Sequence, residues 1–199
     1  MADFTVEDIK KLKELTGVGL TDAKTALTEA KGDFDKAVEA MRKKGLTKAE
    51  KRGDREAREG VIDSYIHDGR IGAILELNCE TSFVAKTDAF KELAHYIAMQ
   101  IASMNPVYVS EGDIPEADMK KTRTEFEDKL KDDKKPADVK AKIIDGQVKK
   151  HFEDKVLLSQ KYILDDSVTI EGLIKNYIAK TGENIVVRQF KRMELGVTE

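Results

Sequence analysis

The chain has 199 residues, 40% of them hydrophobic and 37% charged, which suits one ordinary domain with room for a satellite and a real core. Its 35 basic and 38 acidic groups leave a net charge of −3, which excludes a broadly basic coat for nucleic acid. A single cysteine, Cys79, and no tryptophan exclude a disulfide framework, a four-thiolate metal site and a base-stacking surface of the usual kind. No apolar run approaches the roughly 20 residues of a membrane span and no signal-peptide core opens the chain, so a cytoplasmic protein is expected.

Residues 1–45 read as three short helices. Thr5 is a candidate N-cap with Asp8 three residues on, and Val6, Ile9 and Leu12 share the first helical face. TGVG at 16–19 should end that helix, its two glycines being free to take positive φ. A second helix from near Thr21 carries Ala23, Ala26, Leu27 and Ala30 on one face and stops at Gly32. A third, opened by Asp33, presents Phe34, Ala37, Val38 and Met41 and closes at Gly45. With neither charge imbalance nor nucleophile, this unit is expected to dock something. Residues 46–60 form a polar segment in which Thr47 and Glu50 can make a capping box. Eight basic and three acidic residues lie between Arg42 and Arg58. The segment reads as a solvated linker helix, with a contact to RNA or an acidic partner as the alternative.

The period then changes to that of strands. Residues 61–79 are two runs rich in β-branched and aromatic residues, joined at Asp68-Gly69, a strong hairpin signal. Ile71, Ala73, Leu75, Leu77 and Cys79 share the expected core face, and Ile74 points the other way. A helix from about Asp88 carries a broad apolar stripe from Phe90 to Ala102 and ends before Asn105-Pro106; VYVS at 107–110 suits a short strand. Residues 111–155 differ in character: 13 are acidic and 12 basic, and Pro115 and Pro136 stand where two helices should begin. That is a largely solvated αα-hairpin. Residues 157–167 return to the core by an irregular path, a helix from about Thr169 stops at Gly182, and 183–195 form a last strand. The fold class expected is α+β: a three-helix head, a linker at 46–60, and a core at 61–199 with a three-stranded antiparallel sheet, helices on one face and the charged hairpin.

Catalytic equipment is sparse. His67, His95 and His151 form no HxxxH or HExxH pair. TGVG lacks the spacing of a phosphate loop and follows no strand. The densest carboxylates lie in the exposed hairpin. No cofactor and no metal are expected, and an enzyme is disfavoured. Cys79, at the end of a strand, reads as a buried structural thiol, with a reactive or ligating thiol as the alternative. The residues that ask for explanation are Ser82-Phe83-Val84, in a short connection where side chains are usually exposed. Composition alone favours Phe83 folding inward as a core plug over a protruding wedge for a partner's pocket.

Three blocks resemble one family. LKELTGVGLTDAKTALTEAKGDFDKAVEAMRKKG (12–45), NCETSFVAKTDAF (78–90), and LLSQKYILDDSVTIEGLI with GENIVVRQFKRMELG (157–174 and 182–196) are similar, in order, to the signatures of translation elongation factor Ts. The length matches the short form with one core module. The resemblance implies a non-enzymatic nucleotide exchange factor whose partner is elongation factor Tu, with no direct nucleic acid and no membrane. It implies that the head docks on the partner's GTPase domain through Lys13, the turn residues Gly17, Val18 and Gly19, and Leu20 and Thr21, which stand where the family has a Met-Met pair. It implies that the loop Thr81, Ser82, Phe83 and Val84 inserts its Phe between partner helices, disturbing the Mg²⁺ and phosphate site; Ser82 replaces the family's usual Asp. It leaves open a homodimer engaging two GTPases, for which the sequence carries no code of its own. The head also resembles a ubiquitin-associated fold, which keeps a generic protein-binding module as the runner-up.

Overall fold

A computed structural model describes residues 4–16, 19–131, 133 and 135–197. The elements run α1 (Val6–Thr16), α2 (Leu20–Glu29), α3 (Phe34–Glu50), β1 (Glu59–His67), β2 (Ile71–Cys79), α4 (Ser82–Ala85) and α5 (Asp88–Met104). They continue with α6 (Glu116–Lys129), α7 (Ala137–Glu153), β3 (Lys161–Tyr162), β4 (Asp165–Thr169), α8 (Ile170–Thr181) and β5 (Ile185–Glu194). The expected α+β class holds.

In the head, the Asp8 N–H donates to the Thr5 hydroxyl at 3.2 Å while the Thr5 N–H donates back to the Asp8 carboxylate at 2.8 Å, a reciprocal cap for α1. The Thr5 N–H and the Thr5 hydroxyl, both donating to the Asp8 carboxylate, hold that carboxyl below the usual range. Leu12, Ala23, Ala26, Leu27, Ala37 and Met41 close a small core of their own. Helix α2 ends in a left-handed pair, Lys31 (φ 54°) and Gly32 (φ 86°), with the Gly32 N–H donating to the Leu27 carbonyl at 2.9 Å.

Gly45 does not close the third helix. Helix α3 runs on to Glu50, and residues 51–58 are turn and extended chain, so no separate linker helix forms over 46–60. An interior glycine costs a helix only about 1 kcal/mol. Ala49, 2% exposed, is buried in the main core, and α3 packs on α8. That contact holds the extra turns in place.

Strands β1, β2 and β5 form an antiparallel sheet in the order β1-β2-β5. The β1–β2 turn takes positive φ at both Asp68 (49°) and Gly69 (67°), as the dipeptide predicts, and the Arg70 N–H closes it onto the His67 carbonyl at 2.9 Å. Leu75, Leu77 and Cys79 bury their side chains against Phe90, Leu93, Ile97 and Ile101 of α5. Strand β5 carries a bulge: Glu76 faces Gln189 but Leu77 faces Val187. Arg188 is thus the extra residue, and it lets both Val187 and Phe190 face inward.

Beyond α5 the chain makes only an isolated bridge between Tyr108 and Val156, in place of the short strand expected at 107–110. Helices α6 and α7 build a satellite core from Ile144, Val148, Phe152 and Val156, with Phe126 and Leu130 half-buried beside them. Arg123 reaches across to Asp145 at 2.8 Å. The irregular return includes a small hairpin, β3–β4. Buried Gln100 of α5 holds it, donating to the Lys161 carbonyl at 3.0 Å and accepting from the Ile163 N–H at 2.9 Å.

Gly60 sits against β2 so closely that a Cβ there would lie 2.1 Å from the Leu77 carbonyl oxygen. Gly60→Ala should therefore destabilise the fold by about 2–4 kcal/mol. Thermal unfolding followed by circular dichroism should show the midpoint falling by about 5–12 °C.

Candidate partner-docking site

Two groups of residues carry the expected site, one in each of two packing units. In the head, Lys13 and Thr21 are exposed. Leu20, 52% exposed, opens α2, and Leu15 is exposed near the end of α1. Gly17 and Val18 lie outside the described residues. Gly19 is the N-cap of α2 with φ −66° and ψ 155°. It makes no use of the positive φ that glycine permits, and open space surrounds the position of a Cβ.

The second group lies where β2 passes into α5. Thr81 caps the single turn of α4: its hydroxyl accepts from the Val84 N–H at 3.4 Å and its carbonyl from the Ala85 N–H at 3.2 Å. Thr87 caps α5 in the same way, accepting from the Phe90 N–H at 3.3 Å while its hydroxyl donates to the Val84 carbonyl at 2.7 Å. Between the caps, Val84 and Ala85 turn into the core, so Ser82 and Phe83 turn out. Phe83 is 80% exposed. The inward plug that composition favours is corrected: α4 has one inward side, and Val84 and Ala85 occupy it.

The base of this loop is held from far along the chain. The Glu183 carboxylate accepts from the Thr81 N–H at 3.0 Å and the Thr81 hydroxyl at 2.6 Å. In return the Asn184 N–H donates to the Glu80 carboxylate at 2.7 Å, where Arg55 also approaches at 3.5 Å. The buried Asn184 side chain donates to the carbonyls of Gly53 (3.2 Å) and Arg55 (2.8 Å). Sequence reading does not find Glu183 or Asn184. They lie some hundred residues from their partners, and no local pattern marks them.

Two further apolar surfaces stand out, of which sequence reading points only to the second, through Ile74. Ile163 and Leu164 are exposed at the tip of β3–β4. Ile62, Ile66, Ile74 and Met193 are exposed on the outer face of the sheet, where the register sets Ile66 beside Gly72 and Gly72 beside Met193.

Cys79 is fully buried and its Sγ donates to the Thr81 carbonyl at 3.2 Å. Burial pushes this thiol up, and the negative charge of Glu183 pushes the same way. This favours the structural reading of Cys79 over the reactive one. His67 meets Tyr65 at 3.1 Å, His95 meets Asp63 at 3.4 Å and His151 meets Lys155 at 2.9 Å, each on its own element. Among the described residues no group of three His, Cys, Asp or Glu could hold a metal ion, and no helix is long and apolar enough to cross a membrane.

The chain thus displays one apolar side chain on a capped turn of its α+β core and exposed leucines on a small helical head, which makes it a candidate protein-docking factor. The chain belongs to the elongation factor Ts family, whose model matches residues 2–197. It is 50% identical over 195 residues to elongation factor Ts of Fervidobacterium nodosum, covering 98% of this chain and 99% of that protein. It is 48% identical over 195 residues to that of Thermotoga petrophila (98% and 97% covered). Over 189 residues it is 48% identical to that of Syntrophus aciditrophicus (94% of each).

Because the Cys79 thiol is fully buried and that burial also disfavours its thiolate, an aromatic disulfide reagent at pH 8 should label native protein about a hundredfold more slowly than protein unfolded in guanidinium. The unfolded thiol ionises near its ordinary value and the folded one above it. The stability this group contributes is thus intact below about pH 8.5 and falls as pH rises further.

Proposed function

We propose that this protein is the guanine nucleotide exchange factor for elongation factor Tu, acting in the cytoplasm during translation elongation. The observation that carries the mechanism is Phe83, an aromatic side chain held out in solvent on a turn whose two ends are capped. In this reading the head (residues 1–45) docks on the partner's GTPase domain through Lys13, the 17–19 turn, Leu20 and Thr21. The core (61–199) presents Phe83 as a wedge, with Thr81, Ser82 and Val84 shaping its base. Leu20 keeps the apolar contact of the family's Met-Met pair and Thr21 does not. Ser82 brings no charge where the family has Asp, so the wedge works by shape and burial.

Linkage does the rest. A factor that fits the nucleotide-free GTPase better than the GDP form shifts the population toward the former, and factor and nucleotide weaken each other's binding by the same factor. Displacing the elements that organise Mg²⁺ removes charge neutralisation from the diphosphate and speeds its release. GTP then rebinds and displaces the factor. The protein makes and breaks no covalent bond and uses no cofactor. Phe83→Ala should lower the maximal rate of GDP release from elongation factor Tu by about tenfold or more, as truncation of an interface anchor does, with the fold intact. Stopped-flow release of a fluorescent GDP measures it, and an unchanged rate would sink the wedge assignment.

The same reading includes a homodimer, with the outer face of the sheet as its interface. Ile62, Ile66, Ile74 and Met193 form an exposed apolar patch there, and Glu76 and Lys191 on the same face supply both signs of charge, as a two-fold self-contact requires. Sedimentation should find a dimer that Ile74→Lys converts to monomer without loss of secondary structure. A monomeric wild-type chain at about 100 μM would overturn it, that being far above the micromolar affinity of a weak specific pair.

A further inference from the structure

Four residues from two distant parts of the chain exchange bonds below the wedge. Glu80 and Thr81 follow the central strand, whereas Glu183 and Asn184 lie in the turn between α8 and β5. Each pair supplies a carboxylate to the other pair's backbone: Glu183 takes the Thr81 N–H, and Glu80 takes the Asn184 N–H. The Thr81 hydroxyl is the hinge of the arrangement, since it donates to Glu183 at 2.6 Å and accepts from the Val84 N–H at 3.4 Å. A hydroxyl that donates to a carboxylate becomes a better acceptor, so Glu183 strengthens the cap of α4 without touching the helix. A four-residue helix has too few internal bonds to persist alone. Its direction therefore depends on its caps, and so does the direction of Phe83. Glu183 itself enters the turn in a set geometry, because Gly182 ends α8 in the left-handed region (φ 80°) with its N–H on the Ile178 carbonyl at 2.9 Å.

We propose that Glu183 is the positioning residue of the exchange site: through its two bonds to Thr81 it fixes the turn that carries Phe83, and without it the wedge is displayed in many orientations in place of one. This rests on the reading of Phe83 as the wedge. Glu183 touches no nucleotide and need not touch the partner. Its contribution is preorganisation, which appears in the rate of the step that needs the aligned geometry more than in encounter.

The test uses the full chain with elongation factor Tu carrying a fluorescent GDP, and compares wild type, Glu183→Ala, Glu183→Gln, Phe83→Ala and the double Glu183→Ala/Phe83→Ala. Glu183→Ala should lower the maximal release rate about fivefold to tenfold, while the half-saturating concentration of factor changes less than about twofold. Glu183→Gln keeps an acceptor oxygen for Thr81 and should recover most of the rate. The double variant should be no slower than Phe83→Ala alone, because the carboxylate acts only through the ring. Amide hydrogen exchange at Val84 and Ala85 should quicken in Glu183→Ala and not in Phe83→Ala. An unchanged maximal rate in Glu183→Ala, or a slowing that multiplies in full on the Phe83→Ala background, overturns the assignment. So does unaltered exchange at Val84. If Glu183→Ala does not fold, Glu183→Met, of similar length and with no oxygen to accept from Thr81, carries the same comparison, and wild-type rate with wild-type protection at Val84 in that variant overturns the assignment. If Phe83→Ala leaves release untouched while Val84 exchange quickens in Glu183→Ala, the wedge reading fails and the clamp on α4 stands, so the two failures are told apart.

Discussion

The inner face of β2 against α5 is the contact on which the other parts of the molecule lean. Strand β2 is paired along both edges, and Leu75, Leu77 and Cys79 enter a layer closed by Phe90, Leu93, Ile97 and Ile101. Each of those fully buried large side chains stabilises the fold by about 1.5–3 kcal/mol relative to exposure, which makes strand and helix one rigid body. The two are joined by residues 80–87, a connection too short to wander. Whatever stands in that connection inherits the rigidity of its neighbours. The proposed docking residues of the core stand there.

Phe83 is exposed for a reason that is geometric before it is functional. Successive residues of a helix are turned by about 100° from one another, so a one-turn helix with Val84 and Ala85 buried has no inward direction left for residues 82 and 83. Rolling the turn to hide Phe83 would expose both buried residues and break the Thr81–Val84 cap. The unfavourable exposure of one aromatic ring is thereby offset by contacts its neighbours already make. With the backbone of the turn so fixed, only the ring's own side-chain torsions remain to be ordered on meeting a partner, and the loss of such freedom is one of the main penalties opposing association.

The parts of this fold legible from sequence are those set by local chemistry. The alternation of β2, the Asp68-Gly69 turn, the Thr5–Asp8 cap and the prolines before α6 and α7 each act over a few residues, and each is found where the pattern puts it. What escaped depends on distant chain. Helix α3 passes Gly45 because Ala49 meets the main core, and nothing within 46–60 says so. The bulge at Arg188 reverses the inward parity of β5 midway, so its alternation reads true only in halves. The direction of Phe83 is set by the burial of the residues after it, and the bonds of Glu183 and Asn184 span a hundred positions. At the site, the family motif locates the residues but says nothing of what holds them.

The three hydrophobic clusters are separate, and how they are joined decides whether the head and the wedge can act together. Had α3 ended at Gly45, the head would hang on a polar strand of some fifteen residues, and its docking would raise the local concentration of Phe83 near its target only as far as a flexible tether allows. Instead α3 carries the head's core residues Ala37 and Met41 at one end and Ala49 of the main core at the other. The chain just after it is tied down twice: Arg52 donates to the Ile178 carbonyl at 3.4 Å, and Asn184 holds the carbonyls of Gly53 and Arg55. Asn184 belongs to the same turn as Glu183. One turn between α8 and β5 therefore bonds to the chain just after α3 and to the base of α4, so under the proposed function binding free energy gained at the head would act on Phe83 through a stiff link.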